Sequence, residues 1–226
     1  MQFNNFPPGV VAAVATATAA YITQQSSGAN GRTYTFSGVT IPSAGASYRK
    51  LLVMTTGANS GGGTFTGCTI GGVAASEVFK NNYSEGLSAH YALDNTNISG
   101  SVSVVITMSD SGGTRCGIGV FSVEGNQPLS VYASAIHTAT GALSQSVSYL
   151  RGMAVVAFAT SFSNAANGIA YGGGLVEQYD TLIGGESQRQ AGAVIAGSTT
   201  TSGSATAVTT YTGYSNSAIY AYKAGA

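Results

Sequence analysis

The side chains that most readily do chemistry are few: two histidines, two cysteines and eight carboxylates in 226 residues. His90 lies in the segment LSAHYAL, and His137 ends a run of alternating residues. A catalytic or metal-binding histidine needs suitable partners, and neither histidine has Cys, Asp or Glu at ligand spacing. We therefore expect each histidine to be a hydrogen-bonded residue of a strand.

The two cysteines, Cys68 and Cys116, belong to no CxxC motif and to no Cys/His ligand set, so the sequence does not predict a zinc site. Cys116 lies in an apolar strand pattern, in which a free thiol acts as a small hydrophobic side chain. A disulfide needs close Cβ atoms, which the sequence does not show. Free thiols are the expectation, and pairing stays open.

The carboxylates are scattered; Glu177 and Asp180 are close in sequence, but their separation across a cleft does not follow from that. The turn 94–97 (DNTN) has one carboxylate and no downstream glutamate, which favours a plain Asx turn over a Ca²⁺ loop. The sequence contains no serine elbow, phosphate loop or dinucleotide fingerprint. We expect no catalytic residue, no metal site and no cofactor, so the chain is not predicted to be an enzyme.

Charge is scarce in this chain. Charged residues make up 7% of the sequence, against about 25% in an ordinary domain, and the formal net charge is zero. The basic residues are scattered, whereas binding to nucleic acid or to an anionic membrane needs several together. We exclude both partners. A neutral surface rich in Gly, Ser, Thr, Ala and Asn resists self-association poorly, so it suits a subunit of an assembly.

From residue 33 onward, short apolar runs alternate with glycine-rich turns. The whole chain contains 32 glycines. This spacing predicts an all-β protein, an antiparallel jelly-roll-like β-sandwich, and no repeat of fixed period is visible. No charged or proline-rich linker divides the chain, so we expect one sandwich domain over 33–226 after an amino-terminal arm over 1–32. The predicted strands are 33–41, 49–56, 65–70, 73–83, 87–93, 101–108, 116–124, 129–137, 143–149, 153–160, 175–182, 187–195, 206–212 and 217–223.

The arm is apolar and carries no charge before Arg32. It lacks the basic residues of a secretory signal sequence, so we expect synthesis in a cytoplasm and no signal peptide. Residues 10–20 are expected to be an extended arm or a short helix. An ordered apolar arm must be held by a neighbour, for example through strand addition, or by its own sheet, and both remain open. The candidate contact residues are Phe3, Phe6, Pro7, Pro8, Val10 and Val11.

A second candidate interface is the tyrosine-rich stretch near the carboxyl terminus, which includes Tyr214 and Tyr220. Tyrosine gives a large and rigid contact surface at low entropic cost, which favours interfaces between proteins. A strand of the protein's own core explains the same residues nearly as well.

The stretch from Arg49 to Glu124 resembles small structural proteins encoded in the genomes of tailed bacteriophages. The resemblance rests on the segments RKLLVMTTG, CTIGGVAASEV, LSAHYALDN, SGSVSVVITMS and CGIGVFSVEG, and it covers about a third of the chain. It implies a jelly-roll sandwich in which the string IGG-x-A forms a hairpin turn. It also implies a virion protein: a capsid decoration protein, a head fibre or a tail component. That group has no active-site motif, so no functional residues are implied.

Two hypotheses of function follow. The first is a non-enzymatic virion structural protein, most simply a capsid decoration or cement subunit. It works by packing and arm contacts as a homo-oligomer, with a trimer favoured, on a major capsid or tail protein. The alternative is a glycan- or receptor-binding module of a phage tail fibre, whose loops hold a host glycan. Binding to empty capsids favours the first hypothesis, and saturable binding to host cells or polysaccharide favours the second.

Overall fold

The structure, a computed structural model, describes residues 15–59, 63–83, 86–109, 113–162, 168–183, 188–210 and 213–225. Within these ranges every regular element is a β-strand, and no helix is long and apolar enough to cross a membrane. The strands are β1 (Ala17–Ser27), β2 (Thr33–Ile41), β3 (Tyr48–Asn59), β4 (Phe65–Ile70), β5 (Val73–Ala74), β6 (Ser76–Tyr83), β7 (Gly86–Asp94), β8 (Gly100–Met108), β9 (Gly113–Gly125), β10 (Leu129–Thr140), β11 (Leu143–Tyr149), β12 (Ala154–Ser161), β13 (Ile169–Gly172), β14 (Val176–Leu182), β15 (Arg189–Ile195), β16 (Gly203–Thr209) and β17 (Tyr214–Ala224).

Most strands form where the sequence predicts them, because apolar side chains alternate or run continuously there. The bounds of β2, β4 and β11 equal the predicted 33–41, 65–70 and 143–149. In β2 the burial follows the pleat, so that Tyr34 and Phe36 point inward while their neighbours are exposed. Strand β13 was not predicted, and it has only four residues.

The strands pair into four antiparallel sheets. The first outer sheet has the order β2-β8-β4-β5, and the first inner sheet has the order β1-β9-β3-β7-β6. The second inner sheet has the order β10-β17-β12-β15-β14, and the second outer sheet has the order β11-β16-β13. The predicted all-β, antiparallel sandwich fold is confirmed, and the chain contains two such sandwiches in succession.

Three large hydrophobic cores and one small cluster, formed by Ala159, Ile169 and Ala191, hold the four sheets together. The first lies inside the first sandwich and includes Phe65 and Tyr91, and the third lies inside the second sandwich and includes Val155 and Ile219. The second core joins the two inner sheets, and we call it the seam. Its large side chains are Leu52, Met54, Phe121, Phe158, Tyr220 and Tyr222. Strands of the inner sheets are thus buried on both faces, which accounts for continuous apolar runs such as 49–56.

The two sandwiches have the same topology. The strand orders of the first become those of the second when β1, β2, β3, β4, β6, β7, β8 and β9 are replaced by β10 to β17 in turn. Among the described strands of the second sandwich, none corresponds to β5. A β-bulge recurs as well. In β1 it lies opposite Val120 and Phe121 of β9, and in β10 it lies opposite Ala221 and Tyr222 of β17. The chain is therefore an internal duplication of one sandwich.

The pairing registers show which residues are counterparts. Phe121 pairs with Leu52 in the first sandwich, and Tyr222 pairs with Ala154 in the second. Leu52 and Ala154 therefore occupy the same place. The sequences around them are weakly similar: RKLLV in the first sandwich and RGMAV in the second. The interval between counterparts changes along the chain because connecting loops differ in length, so a search for a fixed period misses the duplication.

The described part of the predicted arm is a strand. β1 (17–27) pairs with β9 at the edge of the first inner sheet, and Ala19 forms a bridge with Gly197 of the second sandwich. The chain's own sheets hold this part of the arm, and the helix considered for residues 10–20 is not formed from residue 17 onward. Among the described residues, strand pairing in the first sandwich thus begins at residue 17, and the sheets form two sandwiches. The domain bounds 1–32 and 33–226 stay a prediction.

Candidate functional site

The residues predicted for an interface fall into two groups. Tyr214 and Tyr220 lie on β17, and their exposed fractions are 6% and 2%. Both are buried between the sandwiches, so the tyrosine-rich stretch belongs to a strand of the protein's own core. The arm residues lie outside the described part of the chain, which starts at residue 15; they are Phe3, Phe6, Pro7, Pro8, Val10 and Val11.

His90 links the two sandwiches across the seam. It lies on β7, and its Nδ1 atom is 2.6 Å from the hydroxyl oxygen of Tyr220 on β17. Its ring also packs against Phe79 and Phe158, with centroid separations of 5.1 and 5.4 Å. Burial lowers the pKa of His90 to about 3, because a charged imidazole would lose its hydration there. His90 is thus a neutral, hydrogen-bonded strand histidine, as expected.

One end of the seam is polar and cross-linked by side-chain hydrogen bonds. Gln188 of the second sandwich donates from Nε2 to the hydroxyl of Thr56 at 2.6 Å and to the carbonyl of Gly57 at 3.0 Å. Asn216 donates to the hydroxyl of Ser88. Because buried polar groups are costly when unpaired, these bonds fix the relative placement of the two sandwiches.

The two cysteines are free thiols buried in the first core. Burial raises the pKa of Cys68 and that of Cys116 to about 12. A thiol of this kind is a packing group and a poor nucleophile. Among the described residues, no group of three His, Cys, Asp or Glu side chains is placed to hold a metal ion.

The outer edge of the second inner sheet is an apolar strand. β10 pairs with β17 on one side, and no described strand pairs with its other side. It contains no Asp, Glu, Lys or Arg, and it exposes Val131 by 46%, Tyr132 by 44% and Ile136 by 36%. Unpaired backbone groups beside exposed apolar side chains make an edge that other chains can join.

The other edges of the inner sheets carry protection that β10 lacks. β6 carries Glu77 and Lys80, which form an ion pair at 2.9 Å. β14 carries Asp180, which is paired with Arg189 of the neighbouring strand. β1 is bridged to Gly197 of the second sandwich. Charge and coverage of this kind discourage strand addition, so β10 is the inner-sheet edge on which addition is least opposed.

A cavity of about 340 Å³ lies where β10 begins, at one end of the seam. It is formed by three parts of the chain: the start of β3, the end of β7 and the turn into β10. The lining residues are Ser47, Tyr48, Arg49, Asp94, Asn95, Thr96, Pro128 and Leu129. Both sandwiches contribute to it, and ligand sites commonly lie at such junctions.

Arg49 fixes the loops around this cavity. Its side chain is 2% exposed, and its guanidinium donates to the carbonyl oxygens of Pro42 at 2.6 Å, Asn95 at 3.0 Å and Ile98. The turn 94–97 is the predicted Asx turn, in which Oδ1 of Asn95 accepts from the backbone amide of Asn97 at 2.7 Å. The loops that line the cavity are therefore held by the Arg49 side chain and by the hydrogen bonds inside the turn 94–97.

The sequence identified this turn but did not indicate a cavity. Tyr48, Asp94 and Leu129 come from distant parts of the chain, and only the packing of two sandwiches brings them together. The β10 edge had a signal that could have been used, since segment 129–140 is a long strand pattern without charge.

No protein-family model matches the chain, and no curated protein is significantly similar to it.

Proposed function

We propose that this chain is a non-enzymatic structural subunit of a phage particle, a capsid decoration or cement protein that works by binding copies of itself and a capsid or tail protein. The observation that carries the proposal is the β10 edge: twelve residues without charge, exposing Val131, Tyr132 and Ile136. An edge of this kind promotes association between chains, and a neutral surface does not oppose it.

The position of Ala15, where the described chain begins, supports the same function. Ala15, the first described residue, lies beside Gly225, whose amide donates to the carbonyl of Pro128 at 2.9 Å. Pro128 immediately precedes β10. The fourteen residues before Ala15 are therefore attached at the start of this edge strand, within reach of it or of its counterpart in a second copy. We infer that the arm contributes to contacts between subunits.

The strand order supports a jelly roll in each half, as the phage resemblance implies. A jelly roll is a double-sheet sandwich of eight strands. In the first half, β1-β9-β3-β7 and β2-β8-β4 are sheet neighbours. After β5, which pairs in the outer sheet, the chain continues directly into β6, which pairs in the inner sheet. β5 and β6 together therefore take the place of one strand of the eight.

The test is the solution mass of the full chain, measured by light scattering, beside two variants. Ile136→Lys places a charge on the β10 edge. The matched control Val78→Lys places one on β6, where Val78 is 43% exposed and charges already stand. We expect a defined oligomer, a trimer being favoured, that Ile136→Lys dissociates and Val78→Lys does not. Matching far-ultraviolet circular dichroism spectra of the two variants show that folding is intact, since the melting temperature itself depends on the state of association.

A second readout addresses the particle itself. The full chain is expected to sediment with empty phage capsids, and removal of residues 1–14 should weaken that binding. A full chain that is monomeric and does not sediment with capsids contradicts the proposal. An oligomer that survives Ile136→Lys contradicts the role of β10.

A further inference from the structure

The cavity at the start of β10 carries an inference beyond assembly, because its lining has the chemistry of a ligand site. The ring of Tyr48 is 43% exposed and forms one wall. The carboxylate of Asp94 is 74% exposed at the side chain and is held by Nζ of Lys50 at 2.6 Å. An aromatic face packs against C–H groups of a ligand, and a fixed carboxylate accepts hydrogen bonds from hydroxyl groups.

The remaining walls suit the same kind of ligand. Pro128 and Leu129 add apolar surface, and Ser47 and Thr96 add hydroxyl groups that donate and accept. The carboxylate already has a cation beside it in Lys50, and Arg49 is 2% exposed with its guanidinium bonded to three backbone carbonyls. No cationic group of the lining is left for an anionic ligand, so the chemistry favours a neutral molecule with several hydroxyl groups.

The walls are also preorganised. The guanidinium of Arg49 binds three carbonyl groups from the loops on both sides of the cavity. The side chain of Asn95 holds the backbone amides of Asn97 and Ile98 at 2.7 and 3.1 Å. A site that is ordered before binding loses little conformational entropy when the ligand arrives, which favours affinity.

The duplication supplies an internal comparison. A cavity of about 210 Å³ stands at the matching place in the second sandwich, and its lining includes Arg151, the counterpart of Arg49. Counting along the paired strands, the counterpart of Tyr48 is Leu150. Thr199, which bonds through its backbone to Gly152 and Met153, stands where Asp94 stands opposite Lys50. The second cavity thus lacks both the aromatic ring and the carboxylate. The shared fold therefore does not require the aromatic ring and the carboxylate that line the first cavity.

We propose that the first cavity binds one unit of a neutral saccharide, with the sugar stacked on Tyr48 and its hydroxyl groups bonded to Asp94. The cavity volume of about 340 Å³ admits a single sugar ring and leaves its neighbours in solvent. The site shares Leu129 with β10 but uses none of Val131, Tyr132 and Ile136, so the assembly role and the saccharide site can each fail alone.

The test is a nuclear magnetic resonance titration of the labelled full chain with a panel of neutral disaccharides built from glucose, galactose or mannose, and with anionic sialyllactose. We expect at least one neutral disaccharide to shift the amide signals of Tyr48, Thr96 and Leu129 in a saturable way, and sialyllactose to bind more weakly. Tyr48→Ala should weaken binding about tenfold, since the stacking contact is lost. Asp94→Asn should weaken it as well.

The matched control is Leu150→Ala, which alters the counterpart of Tyr48 in the second sandwich and should leave binding unchanged. Ile136→Lys should also leave it unchanged, whatever it does to the solution mass. The proposal is overturned if no neutral disaccharide gives saturable shifts at these amides. It is equally overturned if Tyr48→Ala binds as the unmodified chain does.

Discussion

A Cβ atom on Gly119 would lie 2.7 Å from Cζ of Tyr179 and closer still to the tyrosine hydroxyl. Gly119 belongs to β9 of the first sandwich and Tyr179 to β14 of the second, so the absence of a side chain on one strand makes room for a ring from the other. The ring also packs against Tyr21 and Phe121, at centroid separations of 5.5 and 6.2 Å. This contact sets how closely the two inner sheets approach at the seam.

Gly119→Ala should therefore destabilise the protein, by about 1–3 kcal/mol, because an overpacked core must shift its side chains or backbone. Chemical denaturation measures the change. Gly168→Ala is the control, since no atom lies within 4 Å of a Cβ there. In the background of Tyr179→Ala, the added methyl group of Gly119→Ala should cost less than half as much. Equal costs in the two backgrounds would show that the ring does not occupy this space.

Stability should fall as the solution becomes acidic. The pKa of His90 is lowered to about 3 by burial, against 6.5 for an ordinary histidine. Between these values the unfolded chain binds a proton that the folded chain does not, so the free energy of unfolding decreases as the pH falls through this window. The decrease approaches about 1.4 kcal/mol per pH unit. Urea unfolding at pH 7 and pH 5 measures it.

Two variants isolate the contribution of His90. His90→Gln removes the titrating group, so the loss of stability between pH 7 and pH 5 should shrink by about 2 kcal/mol. Tyr220→Phe removes the partner hydroxyl and should cost about 1 kcal/mol at both pH values while keeping the pH dependence. A pH dependence that His90→Gln leaves unchanged is inconsistent with a buried neutral imidazole.

Neither cysteine should react in the folded protein. Cys68 and Cys116 are 3% and 0% exposed, and burial raises the pKa of each thiol to about 12. Because the thiolate is the reactive form, iodoacetamide at pH 8 should label neither thiol in the native state and both in urea. Mass spectrometry counts the labels. Labelling of only one thiol in urea, or of none without reductant, would reveal a modification or a disulfide that the fold does not contain.

Replacement of Arg49 should be far more harmful than replacement of its counterpart Arg151. Arg49→Met leaves the carbonyl groups of Pro42, Asn95 and Ile98 without their donor in a buried position, at a cost of about 3 kcal/mol. Arg151 is exposed, so Arg151→Met should change stability by less than about 0.5 kcal/mol. Thermal unfolding of the two variants gives the comparison. Similar losses in both would contradict the structural role assigned to Arg49.

Much of the secondary structure could be predicted because it follows from local pattern. Segments 33–41, 65–70 and 143–149 alternate between apolar and polar residues and are bounded by turn residues, and they became strands with those bounds. Segment 17–27 is rich in Ala and Thr and gives no such pattern. It is a strand because β9 and Gly197 lie beside it, which is information from tertiary structure.

The pairing of two sandwiches could not be predicted in the same way. The stretch around Leu52 and Met54 shows that both faces of β3 are buried, but not that a second sandwich buries one of them. The cavity depends on that packing, since Tyr48 and Leu129 meet only across the seam. Buried tyrosines such as Tyr220 were equally ambiguous, because the residue type that favours interfaces between proteins also favours interfaces within one.

Joining two copies of the sandwich in one chain has let the two sides of their contact become unequal. Phe79 and Tyr179 follow β-bulges in corresponding strands, yet Phe79 stacks on His90 while Tyr179 enters the space above Gly119. The counterpart of Gly119 is Tyr220, which leaves no such space. In a pair of identical chains every substitution would appear twice about the symmetry axis. Here the Tyr179 ring and the space above Gly119 that receives it each occur once, so the two halves are not equivalent. Any larger array of this chain therefore has a defined direction.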